Sequence, residues 1–225
     1  VHVEKGEVSA VALEPATEQE IADTVTVMGG EDWEYWIDAL LAENMLAPNA
    51  KTVAYTYIGS ELTWPIYWEG TLGKAKADLD RASGEIQQKL QSIGGDARVA
   101  VLKAIVSQAS AAIPVVPLYA ALLFRVMKEQ GSHEECIEHI ERLFTTQLSS
   151  GAHMQLDDSG RIRVDNLELS ETVQAEVKRR WPVVDTQNLP ELGDLAGFRA
   201  DFLKIFGFGI EGVNYDAEVD PQRIS

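Results

Sequence analysis

One pattern constrains this chain more than any other: a short apolar run, a long amphipathic helix, and a second short apolar run. Val53, Ala54, Tyr55, Tyr57 and Ile58 form the first run, apolar on both faces and stopped by Gly59 and Ser60. From 71 to 93, the residues Leu72, Ala75, Leu79, Ala82, Ile86, Leu90 and Ile93 step by three and four. That spacing predicts a helix of about six turns, ended by Gly94 and Gly95. Residues 98–106 are the second buried-strand candidate. Strand, long helix, strand is a βαβ crossover, and strands apolar on both faces suit the middle of a parallel α/β sheet. Ligands of such sheets bind outside the carboxyl ends of the strands, so Tyr57 is expected to face a ligand crevice.

Two more residues belong to this region. Tyr67 follows the first strand, and Lys76 lies nine residues beyond it. A phenol with a pKa near ~10 is a poor acid at neutral pH, and a nearby ammonium lowers it by favouring the phenolate. On one unbroken helix, nine steps of about 100° would put the two side chains on opposite faces. Pro65, Gly70 and Gly73 supply an interruption, which makes Tyr67 a loop residue and Lys76 a helix residue.

At these residues the chain resembles a known family. The stretch YIGSELTWPIYWEGTLGKAK is similar to the active-site segment of the trans-2-enoyl-CoA reductases and FabV-type enoyl-ACP reductases, enlarged relatives of the short-chain dehydrogenases/reductases. Their tyrosine, eight intervening residues and lysine match Tyr67 and Lys76. The resemblance continues through residues 99–119 and 202–221. It implies the C-terminal part of a Rossmann-like parallel sheet, with extra helices forming an acyl pocket. It also implies reduction of the trans-2 double bond of an enoyl-ACP or enoyl-CoA by NADH, the last reductive step of a fatty-acid elongation cycle. By the same match, Tyr67 donates a hydrogen bond to the developing enolate oxygen and Lys76 holds the nicotinamide ribose. Tyr57 faces the substrate, while Ile105, Val106 and Ser107 lie against the cofactor. The α-carbon proton comes from Tyr67 or from water.

Charge and composition narrow the partners. With 36 acidic and 19 basic residues, the formal charge is −17. Nucleic acid and anionic membrane both need basic surface, so neither is expected. The longest apolar run contains Ser110, Pro114, Pro117 and Arg125 and makes a poor bilayer span. Cys136 is the sole cysteine, which rules out an intrachain disulfide. With no signal-peptide pattern, the expected location is cytoplasmic.

The remaining segments read as packing. Residues 8–13 are a candidate strand, and Thr17 with Glu20 forms a capping box for the helix that follows. Trp33, Trp36, Ile37, Leu40 and Leu41 form one helical stripe facing a core. Residues 118–130 read as an apolar helix closed by Gly131, and Ser132 with Glu135 as a second capping box. His133, Cys136 and His139 are splayed too far around a helix for a zinc pattern, so no metal is expected. A turn at 157–160 precedes a short strand holding Ile162 and Val164, and Ser170 opens a basic-ended helix whose Lys178, Arg179 and Arg180 could dock an acidic carrier protein. Gly207, Gly209 and Gly212 spell GxGxxG, but after a helical pattern, so they are expected to be turns.

The chain lacks a glycine-rich strand-to-helix turn for a pyrophosphate, and two or three parallel strands cannot stand without neighbours. The expectation is therefore a catalytic and substrate-binding half spanning 1–225, completed by an N-terminal nucleotide-binding half of the same protein or of a companion chain. The alternatives are a carbonyl reductase of the short-chain dehydrogenase type and a catalytically silent fragment or scaffold.

Overall fold

A computed structural model describes residues 1–149, 151–218 and 220. Helix α1 (Glu18–Met28) starts at the Thr17–Glu20 capping box, and α2 (Glu31–Ala42) follows directly. Strand β1 (Lys51–Thr56) leads through a compact turn segment into α3 (Thr71–Leu90), which tightens into a 3-10 turn and ends at left-handed Gly94. Strand β2 (Asp96–Val101) returns parallel to β1, pairing Lys51 with Asp96 through Thr56 with Val101. Helices α4 (Gln108–Ala112), α5 (Val116–Glu129) and α6 (Cys136–Leu143) precede the two-residue β3 (Ile162–Arg163), which is parallel to β2. Helices α7 (Glu171–Arg180), α8 (Leu189–Leu192) and α9 (Leu195–Lys204) complete the described elements. The βαβ crossover is thus β1-α3-β2, and the sheet order is β1-β2-β3.

The core gathers around α5, whose residues from Val116 to Phe124 are all buried, with Val126 and Met127. A helix apolar on every side belongs inside a fold rather than on its surface. Val173 and Val177 of α7 and Leu195 and Phe198 of α9 close over it. On another side of the sheet, Ile37 packs with Ile86, Leu90 and Ala97. No helix among the described residues is long and apolar enough to cross a membrane.

Several expectations are corrected here. Residues 8–13 form no strand: Val11 and Leu13 are exposed, and the Val8 amide donates to Thr186 Oγ1 at 2.9 Å. Trp36 lies on the outside of α2, 65% exposed, while Trp33 and Leu41 pack beside Ile37. Among the described residues β1 pairs with β2 alone.

Past Leu102, whose amide still donates to the Thr56 carbonyl of β1 at 2.9 Å, side chains take the backbone amides. Lys103 N–H donates to His139 Nε2 at 3.2 Å and Ala104 N–H to Glu168 Oε2 at 2.5 Å. The second capping box forms three residues later than expected, between Glu135 and Glu138. Left-handed Gly131 sends the Ser132 amide back to the Met127 carbonyl, which leaves Ser132 too early to cap. Lys178, Arg179 and Arg180 do not form a free basic patch, since they pair with Glu61, Glu176, and Glu129 with Glu176, respectively.

Candidate active site

The carboxyl ends of β1 and β2 open onto a cavity of about 170 Å³. Tyr57, Tyr67, Lys76, Ile105 and Ser107 all line it, together with Thr56 and Lys103. Val106 does not; its side chain packs in the α5 core and borders a second cavity that Lys103 and Ile105 also line.

Backbone chemistry brings the tyrosine and the lysine together. Tyr67 sits in the turn segment, its amide donating to the Thr63 carbonyl at 2.9 Å, and its own carbonyl accepts from Gly73 N–H at 3.0 Å. A Cβ on Gly73 would lie 1.7 Å from the Trp68 carbonyl oxygen, so only glycine lets the first turn of α3 seat against this loop. That seat aims Lys76 back at the cavity. Gly59 is equally constrained: its φ is +71°, and a Cβ there would meet the Tyr57 hydroxyl at 2.5 Å.

The two phenols face different surroundings. Their rings meet edge to face, 5.1 Å between centroids at 80°. Tyr57 donates its hydroxyl to Glu168 Oε1 at 2.9 Å. Tyr67's hydroxyl and the Lys76 ammonium have no hydrogen-bond or ionic partner among the described residues. Burial pushes the Tyr67 phenol up to about 12 and lowers the Lys76 ammonium from its usual value. The expected lowering of Tyr67 by Lys76 is therefore not what dominates here; desolvation is.

Behind Tyr57 lies a group that sequence reasoning missed. Glu168 is fully buried and accepts from Tyr57, from Tyr119 at 2.7 Å and from the Ala104 amide at 2.5 Å. Burial pushes its carboxyl up, while those three donors and the Lys103 ammonium oppose the rise. Lys103, also buried, donates to the Ala104 carbonyl and lies over the Phe124 ring. In sequence, Glu168 stands between Leu167 and Leu169 near a turn, and nothing in that pattern marks it as buried. His139 is held between Glu134 and the Lys103 amide, and its role is in packing that segment.

Over the cavity, the link between α4 and α5 holds Val115 at φ +71°, ψ −39°. A β-branched residue there is strained, and such strain gathers at functional sites.

The fold and the site together define a parallel α/β protein with an unpaired phenol and an unpaired ammonium facing one cavity at its strands' carboxyl ends. Residues 1–149 match the family model described as trans-2-enoyl-CoA reductase catalytic region, and residues 156–219 one described as enoyl reductase FAD binding domain. The NADH enoyl-[acyl-carrier-protein] reductase of Opitutus terrae is 55% identical over 98% of this chain and 56% of its own length. That of Shewanella baltica is 58% identical over 93% of this chain and 53% of its own. The trans-2-enoyl-CoA reductase of Clostridium acetobutulicum, crystallised with NADH, superposes with a TM-score of 0.92 at 46% identity, over 97% of this chain and 55% of that one. The chain belongs to the family of trans-2-enoyl-CoA reductases and FabV-type NADH-dependent enoyl-ACP reductases. It spans about half the length of the curated relatives it matches.

The residues fit one named cofactor and not the other. Thr56 Oγ1 is buried on the cavity wall without a hydrogen-bond partner, and with Lys76 it offers unsatisfied polar groups beside Ile105, as the ribose end of a nicotinamide nucleotide requires. For a flavin, residues 156–219 offer only the glycines 207, 209 and 212 as a pyrophosphate motif. All three have positive φ and sit in exposed turns after α9, with no helix following among the described residues and with Glu211 in their midst. A pyrophosphate cradle needs a helix N-terminus and no negative charge, so these residues do not fit one.

Proposed function

We propose that this chain carries the catalytic and acyl-binding half of an NADH-dependent reductase acting on the trans-2 double bond of an enoyl thioester, enoyl-ACP or enoyl-CoA. The observation that carries the reading is the pairing of Tyr67 and Lys76, each without a partner, on one cavity. In this reading the sheet is the C-terminal part of a Rossmann-like fold, α4 and α5 wall the acyl pocket, and a nucleotide-binding half outside this chain completes the enzyme, which works in the cytoplasm.

NADH, when bound, would supply the hydride that reduces the β-carbon. As charge moves onto the thioester oxygen, Tyr67 donates a hydrogen bond to it; a phenol held near 12 keeps its proton for that purpose. Lys76 and the Thr56 hydroxyl would hold the ribose of that nucleotide, and Ile105 and Ser107 would border its nicotinamide, with Val106 packed in the core of α5. Tyr57 offers the substrate its ring, because its proton is committed to Glu168. A proton from Tyr67 or from water then adds to the α-carbon and gives the saturated acyl group.

The test is crotonyl-CoA-dependent oxidation of NADH by the enzyme assembled with its nucleotide-binding half. Tyr67→Phe is expected to lower kcat by about 10²–10³, the usual cost of one oxyanion donor. Undiminished turnover in Tyr67→Phe would remove Tyr67 from the mechanism. Reduction of a ketone such as acetoacetyl-CoA in place of crotonyl-CoA would make the protein a carbonyl reductase instead.

A further inference from the structure

The cavity wall is tied together from behind by one carboxylate. Glu168 is 0% exposed, and both its oxygens are used: Oε1 receives the hydroxyls of Tyr57 and Tyr119, and Oε2 receives the Ala104 amide. Gln174 fixes the arrangement from its far side, donating to the Glu168 carbonyl at 2.8 Å and to the Tyr119 hydroxyl at 3.1 Å. A buried carboxylate would be costly here unless its acceptor sites were filled, and three donors fill them. The two walls of the cavity, the end of β1 and the segment after β2, therefore meet at Glu168.

The tie continues to the reacting phenol. Tyr57 is gripped at its hydroxyl by Glu168, and its ring packs edge to face on Tyr67, 5.1 Å away. Tyr67 has no partner at its own hydroxyl among the described residues, so its direction comes from its backbone and from that ring. A tyrosine carries one hydroxyl proton, and Tyr57 spends its own on Glu168.

We propose that Glu168 is a positioning residue for enoyl reduction: through the Tyr57 hydroxyl it orients the ring that aims Tyr67, and by engaging the Tyr57 proton it leaves donation to Tyr67 rather than to Tyr57. The inference rests on the reading of Tyr67 given above. Glu168 touches neither substrate nor cofactor and acts entirely through Tyr57 and the Ala104 amide.

The experiment compares Glu168→Gln in two backgrounds of the assembled enzyme, wild-type and Tyr67→Phe, with crotonyl-CoA and NADH. Misaligning a donor by a fraction of its hydrogen-bond length costs of the order of 10–100-fold in rate. Glu168→Gln is therefore expected to lower kcat by about 10–100-fold in the wild-type background, with little change in the KM for NADH. In the Tyr67→Phe background, where there is no donor left to aim, it should cost less than about threefold. Equal losses in both backgrounds would mean that Glu168 only supports folding, and no loss in either would overturn the proposal outright. Tyr57→Phe breaks the same tie from its other end and is expected to show the same dependence on background, which keeps the test decisive if Glu168→Gln does not fold. Independently of turnover, the Tyr57 resonance in protein labelled at tyrosine Cζ, assigned by its absence in Tyr57→Phe, should move in Glu168→Gln; an unmoved resonance would deny the hydrogen bond. Failure of the enoyl reductase reading itself would show as no crotonyl-CoA turnover in the wild type, whereas failure of this proposal leaves that turnover intact.

Discussion

Tyr67 and Lys76 both face the cavity, and burial moves the two groups in opposite directions. Tyr67 goes up to about 12 because its anion is poorly solvated, and Lys76 goes down because its cation is. As pH rises, Lys76 loses its charge before Tyr67 loses its proton. Activity that needs the ammonium is thus present below the Lys76 value and lost as pH climbs through it. We expect kcat/KM to fall on the alkaline side below the ordinary lysine value of about 10.4, and that limb to move beyond the measurable range in Lys76→Arg, whose guanidinium does not titrate. A limb unchanged in Lys76→Arg would assign it elsewhere. Tyr67 and Lys76 were legible through the family resemblance, and Pro65 and Gly70 keep the helix from running through both, although the expected third interruption, Gly73, lies inside α3. Glu168 was not, because a carboxylate is ordinarily solvent-facing, and only the long-range meeting with Tyr57, Tyr119 and Ala104 makes a buried one tolerable.

Among the elements, α3 has the most exacting position. Its core stripe was readable from period alone, and so were its glycine stop and the crossover it makes. Its start depends on contact: Gly73 accommodates the Trp68 carbonyl, and the same turn delivers Lys76. Gly73→Ala normally favours a helix interior by up to about 1 kcal/mol, but overpacking costs roughly 1–3 kcal/mol and should win here. We expect the urea midpoint to drop, and the KM for NADH to rise more than the global loss explains, because the helix must move to clear the carbonyl. A stabilised Gly73→Ala protein would show that the loop yields instead. Strand limits were less legible for the same kind of reason. Residues 98–106 read as one apolar strand, but the strand ends at Val101 and, past the Leu102 amide, His139 and Glu168 claim the amides of Lys103 and Ala104. Residues 8–13 had the apolar content of a strand and no neighbouring strand to pair with.

Taken whole, the molecule carries a charge of −17 distributed over a surface where many cations are already engaged. Arg81, Arg142, Arg161, Arg163 and Arg180 each hold carboxylates, so the acidic excess is left to repel itself. Raising the ionic strength from about 0.01 M to about 0.15 M shortens the screening length from about 30 to about 8 Å and should relieve that repulsion. We expect the melting temperature to rise by about 2–4 °C over this range, equivalent to ~1 kcal/mol for a chain of this size; a flat or falling response would mean that the exposed ion pairs outweigh the net charge. The outer side of β1 has a further consequence. A strand with one ladder partner presents its remaining backbone donors and acceptors to whatever extended segment arrives first, and a backbone ladder reads direction and length rather than sequence. Two copies of this chain meeting there would compete with any strand that the proposed nucleotide-binding half brings to β1, so the order in which segments are made and docked becomes a determinant of yield, and dilution during assembly the simplest way to favour the productive pairing.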